Sequence, residues 1–322
     1  MQQPDPGLAG VRAEVSAALD WAPAERPASR PPPGPLGAGR RTDGQLVYAV
    51  GDVHGCYRLL LAMFACLAHD AAALAQGRVP TLILCGDYVD RGPQSAQVVE
   101  ALVAAGRHPG WRIVPLKGNH EAALLRFLDD PSTGPDWMHF GGQATVRSYG
   151  LEPPAGEAPP QAWEDLRDGL LTRMPASHLR LLQGLAPMAV VGDYAFVHAG
   201  VAPGVPLARQ TEEDLLWIRH AFLEAPPRFE KVIVHGHSFV DERPALLRHR
   251  MGIDTGAFET GVLTAVRLED GRAEPLQVRD PRLWPWNRPR RPTPAWAPAA
   301  ALDYRRGGGL TSPPRFATSP RP

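Results

Sequence analysis

Five short segments of this 322-residue chain set Asp, Asn or His beside glycine: Gly51-Asp52-Val53-His54-Gly55, Gly86-Asp87-Tyr88-Val89-Asp90-Arg91-Gly92, Gly118-Asn119-His120-Glu121, His198-Ala199-Gly200 and His235-Gly236-His237. Asp52 and His54 are two apart, so on extended backbone their side chains point the same way and can reach one metal ion. The flanking glycines allow tight turns and close ligand approach. One such segment is ordinary turn chemistry. Five in one chain are hard to assign to folding. Oxygen and nitrogen donors without thiolate suit Mn²⁺, Fe or Zn²⁺ rather than a Cys-type structural zinc. Two carboxylates, three imidazoles and an amide exceed the needs of one ion and point to a pair. In the last segment the spacing leaves open whether His235 or His237 is the ligand.

The elements that must position these residues are legible around them. Short β-rich runs lead into each segment: LVYAV before Gly51, TLILC before Gly86, RIVPLK before Gly118, AFVH at 195–198 and KVIVH at 231–235. Between them Arg58–Leu74, Ser95–Gly106 and Glu121–Leu128 carry helical patterning, the last opening on an acid suited to a helix N-terminus. Strands alternating with helices predict an α/β fold whose functional loops leave the strand ends. Residues 131–190 read as a mostly helical, Pro-interrupted insertion that caps the site. Strands at 250–254 and 262–268 are expected to finish the core.

The ends of the chain differ. Residues 1–43 are Pro- and Ala-rich and read as an unstructured extension, with VRAEVSAALDW able to form a transient helix. From Arg279 onward nine Arg face only Asp280 and Asp303, and the tail reads as a second unstructured segment. Of the 36 Pro residues, 18 lie in residues 1–43 and 279–322. The formal net charge is +0, which argues against a wholly basic nucleic-acid binder, leaving only the Arg-rich tail for contacts of that kind. No apolar run reaches the roughly 20 residues that span a bilayer, and no secretory signal is visible. Cys56, Cys66 and Cys85 form no framework, so a reduced cytoplasmic protein without membrane contact is expected. His69, His108, His139, His178, His220 and His249 lie outside the motifs and read as surface or packing residues. Asp254 reads as a turn cap or a support for the metal site. Trp137–Gly142 and Leu215–Arg219 are placed at the site entrance, where they would select substrate.

The series GDVHG, GDYVDRG, GNHE, HAG and HGHS resembles the signature of the calcineurin-like metallophosphoesterases. More narrowly it is similar to the phosphoprotein phosphatases of the bacterial and phage-lambda type, over about Leu46 to Leu268. The resemblance implies a two-sheet sandwich flanked by helices (αββα) over residues 44–278. It implies two divalent metal ions, Mn²⁺ first, with Asp52, His54 and Asp87 at one and Asp87, Asn119, His198 and His237 at the other. Arg91 and Arg219, with Asn119, would bind the substrate phosphate. His120 would be the general acid, oriented by Asp90. The activity implied is hydrolysis of phosphoserine and phosphothreonine by a hydroxide bridging the metals, on a phosphoprotein or a small phosphoester. A symmetrical diadenosine tetraphosphate hydrolase shares the same fold and metal site and is the alternative. An inactive phosphate-sensing scaffold would show missing ligands, and none is missing here.

Overall fold

The computed structural model describes residues 8–20 and 40–280. Ten strands run in chain order: β1 (Val47–Val50), β2 (Thr81–Leu84), β3 (Arg112–Pro115), β4 (Met188–Val191), β5 (Tyr194–Val197), β6 (Val232–His235), β7 (Ala245–Leu246), β8 (Arg250–Gly252), β9 (Val262–Glu269) and β10 (Arg272–Arg279). The longer helices are α1 (Val11–Leu19), α2 (Tyr57–Leu74), α3 (Ser95–Ala105), α4 (Asn119–Asp129), α5 (Gly134–His139), α6 (Gly142–Ser148), α7 (Pro160–Arg173) and α8 (Ala176–Gln183). Three short ones follow: α9 (Glu212–Trp217), α10 (His220–Leu223) and α11 (Ala257–Thr260).

The strands form two five-stranded sheets, ordered β10-β9-β1-β2-β3 and β4-β5-β6-β8-β7. In the first, β1, β2 and β3 are parallel, with Val47 opposite Thr81 and Leu84 opposite Pro115. In the second, β5, β6 and β8 are parallel, and β4 and β7 flank them antiparallel. Alternation along β1 divides its side chains between two cores. Leu46, Tyr48 and Val50 face the helices, while Val47 and Ala49 face the second sheet. There they meet Phe196, Val234, Met251 and Ile253. A third core lies on the outer side of the second sheet, where Ala195, Val197 and Ile233 pack on Leu215, Phe222 and Leu223. The result is the expected αββα sandwich. Because β1, β2, β3, β5 and β6 leave their sheets in corresponding directions, all five motif loops emerge on one edge.

Three expectations differ from the structure. Residues 8–20 of the N-terminal extension are folded: α1 packs in the groove of α2 and α3 with Val11, Val15 and Leu19 buried. Arg12 Nε lies 2.6 Å from Glu100 Oε1, and Tyr57 Oη donates to Glu14 Oε2 at 2.6 Å. Nine residues are too few for a stable isolated helix, so this docking is what holds α1. The cap range ends in a strand, β4, which pairs with β5. Helices α5 to α8 share one apolar core with α2 and α3, through Trp137, Val146, Leu170 and Leu182. They extend the helical layer over the site instead of standing apart from it. The first sheet also gains β10 beyond the strands read from sequence; Pro275 is accommodated because β10 is an edge strand.

Helix α2 is apolar enough to attract notice, with a mean hydropathy of 1.4 over 18 residues. Leu60, Met63, Phe64 and Leu67 are buried in the core beneath it, which accounts for that composition. Residues 1–7, 21–39 and 281–322, which include Trp284, Trp286 and Trp296, lie outside the described residues.

Candidate active site

The backbone itself marks the site. His54, Asp87, Asp90, Arg91 and His237 all adopt left-handed φ, between +43° and +70°. Such φ values are uncommon for non-glycine residues and collect at sites where surrounding contacts enforce them. For the start of the loop after β2 an enforcing group is Glu121. Its buried carboxylate accepts the N–H groups of Asp87 (2.9 Å), Tyr88 (2.7 Å), Val89 (3.2 Å) and Gly118 (2.9 Å). One side chain thus ties the loop after β2 to the loop after β3. Burial, with Asp87 nearby, pushes the Glu121 carboxyl up to about 7 despite those donors.

Asp87 lies at the centre. Its Oδ2 is 3.4 Å from His54 Nε2 and 3.8 Å from His120 Nε2, and its Oδ1 is 3.4 Å from His198 Nε2. The ligand atoms of His54, Asp87 and His120 form one cluster, and those of Asp87, His198 and His237 a second; within each, all atoms lie within 4.8 Å of one another. Asn119 joins the second, its Oδ1 2.8 Å from His198 Nε2. Ring tautomers follow from the remote hydrogen bonds. His54 Nδ1 lies 3.0 Å from the Val89 carbonyl and His198 Nδ1 2.8 Å from that of Cys85. Each Nδ1 therefore donates, leaving an Nε2 lone pair aimed inward.

These atoms fit a pair of cations. His198 Nε2, Asn119 Oδ1, His237 Nδ1 (3.1 Å from His198 Nε2) and Asp87 Oδ1 converge with acceptor character and no proton to share among them. The buried Nε2 of His237 has no hydrogen-bond partner. Burial holds His54, His198 and His237 below the ordinary imidazole pKa, hence neutral, the form that coordinates. Burial opposes ionisation of Asp87, but the imidazoles around it, His198, His120 and His54, hold its carboxyl below the usual range to the extent that they carry charge, a pull that a bound cation would supply when the ligand rings are neutral.

Asp52 stands slightly apart from these clusters. Its oxygens accept the His237 backbone N–H at 3.0 and 3.2 Å, and a Cβ at position 236 would lie 1.9 Å from Oδ1, so only glycine fits between the two histidines of that loop. Burial first, then Asp254 and Asp87, raises the Asp52 pKa; burial also lifts Asp254, to about 6. Asp254 accepts the Gly256 N–H at 2.8 Å, combining the turn-capping and supporting roles expected of it. Of the two candidate histidines in the 235–237 segment, His237 enters the site. His235 turns to the outer face of the second sheet, 5.0 Å from the Phe222 ring.

His120 Nδ1 lies 2.8 Å from Asp90 Oδ2. Burial disfavours charge on this ring, but Asp87 and Asp90 more than offset it and raise its pKa. Asp90 is itself held from the helical layer: Thr145 Oγ1 donates to Oδ1 at 2.6 Å and Trp137 Nε1 lies 3.1 Å from Oδ2. The sequence links neither to Asp90, some fifty residues away: Thr145 lies in no motif, and Trp137 is read only as part of the entrance segment Trp137–Gly142. Arg91 spans the two metal-side rings, Nη1 3.0 Å from His54 Nε2 and Nη2 3.0 Å from His120 Nε2. Arg219 is exposed at the mouth, near enough that its charge helps depress His198 and His237.

A cleft of about 450 Å³ opens between α4, α5 and α9, lined by Arg126, Asp136, Phe140, Glu213 and Trp217 among others. Phe140 borders it 6.1 Å from the His120 ring, and Trp217 follows 5.8 Å from Phe140. Both lie in the segments expected at the entrance.

The sequence profile of the calcineurin-like phosphoesterases matches residues 46–256. The chain belongs to that family. It is a metallophosphoesterase, a hydrolase with candidate metal-binding sites at the residues just described. Among curated relatives, the Bis(5'-nucleosyl)-tetraphosphatase PrpE [asymmetrical] of Anoxybacillus flavithermus is 28% identical over 242 residues, covering 69% of this chain and 89% of that one. Serine/threonine-protein phosphatase 2 of Salmonella typhimurium is 26% identical over 231 residues, covering 69% and 93%. A solved protein serine/threonine phosphatase from Saccharomyces cerevisiae superposes with a TM-score of 0.49 at 13% identity, covering 86% of this chain and 90% of that one.

Proposed function

We propose that this metallophosphoesterase hydrolyses phosphate monoesters of serine and threonine in phosphoproteins. The observation that carries the reading is the buried His120–Asp90 pair, 2.8 Å apart and anchored by Thr145 and Trp137. An alkoxide is a poor leaving group and needs a proton as the P–O bond breaks; a phosphoanhydride leaves with far less help. A fixed imidazolium–carboxylate pair is the device that supplies that proton.

Asp52, His54 and Asp87 would hold one divalent ion and Asp87, Asn119, His198 and His237 the other, Asp87 offering one oxygen to each side. When bound, two such ions supply an acidified water as nucleophile and neutralise phosphate charge; the O/N donor set suits Mn²⁺, with Fe or Zn²⁺ as alternatives. The chain's own groups do the rest. Arg91 would turn its fork from the two rings onto phosphate oxygens, and Arg219 would meet the same group from the mouth, a match that guanidinium makes in two parallel bonds. Water adds to phosphorus, the ester P–O bond breaks, and the departing oxygen takes the proton from His120 Nε2 while Asp90 steadies the ring. Cys56, Cys66 and Cys85 form no disulfide, which supports action in a reducing, cytoplasmic compartment.

The relative from Anoxybacillus flavithermus favours a second reading, hydrolysis of a bis(5'-nucleosyl) tetraphosphate. The test loads the purified protein with Mn²⁺ and compares a phosphothreonine peptide with diadenosine tetraphosphate, each with a chelated control. Preference for the peptide, abolished by chelation, supports the first reading; preference for the dinucleotide replaces it with the second.

A further inference from the structure

Arg91 carries its charge into the site without a carboxylate to balance it. Among the described residues no acid forms an ion pair with it; the neighbouring Asp90 is turned away, onto His120. What faces the guanidinium is a ring. The Arg91 Cζ atom lies 4.8 Å from the Phe258 ring centroid, and the same ring meets His54 edge-on at 5.3 Å. Stacking of this kind fixes the guanidinium plane and keeps its N–H groups at the edge, where Nη1 and Nη2 meet only the neutral acceptors His54 Nε2 and His120 Nε2 at 3.0 Å. A carboxylate in the same place would fix the plane too, but would consume the donors and cancel the charge.

The element that presents Phe258 is built for it. Helix α11 has only four residues and is held at both ends by side chains. Asp254 Oδ1 accepts the Gly256 N–H (2.8 Å), and Thr260 Oγ1 donates to the Thr255 carbonyl (2.7 Å). Gly256 enters the helix at φ +65°, where a Cβ would lie 2.7 Å from the Phe239 ring. The turn that leads into α11 carries Asp254, read from sequence as a turn cap or a support for the metal site.

We propose that Phe258 is a positioning residue for substrate phosphate: its ring face holds the Arg91 guanidinium flat, un-neutralised and aimed at the phosphate oxygens. The proposal rests on Arg91 being the phosphate ligand, and goes beyond that assignment in naming what aims it.

The experiment is a double-mutant cycle on the Mn²⁺-loaded full chain, with p-nitrophenyl phosphate as substrate and inorganic phosphate as inhibitor, so that it is independent of the natural substrate. Phe258→Ala raises KM and the phosphate inhibition constant together by about tenfold, the scale of a desolvated cation–π contact, with kcat and metal content little changed. Phe258→Trp restores both constants, and Phe258→Leu, which keeps apolar bulk without a π face, does not. In an Arg91→Ala background, Phe258→Ala causes no further loss of phosphate binding. An equal loss in that background, or full function in Phe258→Leu, overturns the proposal and leaves Phe258 a packing residue. If Arg91→Ala alone leaves phosphate inhibition unchanged, the assignment of Arg91 itself has failed, and the proposal falls with it.

Discussion

Thr145→Val is the sharpest probe of how the helical layer serves the chemistry. The substitution keeps shape and removes one hydroxyl, which donates to Asp90 Oδ1 at 2.6 Å and accepts the Asp90 N–H at 2.8 Å, both groups fully buried. The N–H keeps a second acceptor in Ser95 Oγ at 3.1 Å, and Trp137 Nε1 still faces the carboxylate, so the main loss is one hydrogen bond to a buried charge. Such a bond is worth about 1.5–3 kcal/mol, and urea unfolding should fall by that amount. If the same free energy fixes the His120–Asp90 geometry in the transition state, the rate on alkyl phosphates falls by at most about 10- to 150-fold. Aryl phosphates, whose leaving groups depart with little help, lose much less. The assay is a series of substrates of graded leaving-group pKa: the dependence of kcat/KM on that pKa steepens in Thr145→Val, toward the slope of His120→Ala. A variant that loses stability but keeps the wild-type slope would refute the claim that Thr145 holds the acid.

Three further outcomes are expected. Asp87→Asn loses activity and bound metal together, read by elemental analysis; an active variant with full metal occupancy would remove Asp87 from its central place. Val15→Asp puts a charge where the side chain is 1% exposed, which undocks α1; residues 8–20 become open to protease and Tm falls while metal content stays constant, whereas unchanged protection would show that α1 does not depend on that groove. Acid should undock α1 in two stages, followed by hydrogen exchange across α1. His178, 2.8 Å from Glu100, has a pKa lowered by burial below 6.5, so folding loses stability as pH falls below 6.5. Burial opposes the charge on Glu100, but its bonds to Arg12 and His178 prevail and lower its pKa, so that contribution persists down to about 4.5 and is lost as pH drops through the folded value. Loosening that begins on the alkaline side would contradict both assignments.

The residues that chemistry demands were readable because each demand is local. A ligand at the end of a strand needs its side chain two or three positions from a turn, and the turn needs glycine; both leave marks within five or six residues, as in Gly86–Gly92. The supports were not readable, because they act across the fold. Thr145 and Trp137 meet Asp90 at separations of 55 and 47 residues, and Phe258 reaches Arg91 from the far end of the chain. Helix α1 shows the same limit. From sequence it is only a segment able to form a transient helix in Pro-rich surroundings, because the residues buried in it, Val11, Val15 and Leu19, need a partner surface that lies elsewhere in the chain. What covers it, the groove between α2 and α3, exists only after the first sheet has brought those helices side by side.

Glu121 explains why the site combines strain with rigidity. Five residues at left-handed φ in adjacent loops are each unfavourable by roughly 1–3 kcal/mol, a load that solvent-exposed loops would relieve by relaxing. Here relaxation would break bonds to a buried carboxylate: Asp87, Tyr88 and Val89 all donate to Glu121, and so does Gly118 from the next loop. Freed from Glu121, those N–H groups would be left without partners in a dry interior, at about 1–3 kcal/mol for each one unsatisfied. Glu121 therefore holds the Asp87–Val89 stretch, with Asp87 between the two histidine clusters, while the N–H groups of Asp90, Arg91 and His237 are held by Thr145 and Ser95, by the Gly141 carbonyl and by Asp52. The acidic residue of the Gly118–Glu121 motif thus serves the site by joining its loops, with four backbone N–H groups on one buried carboxylate.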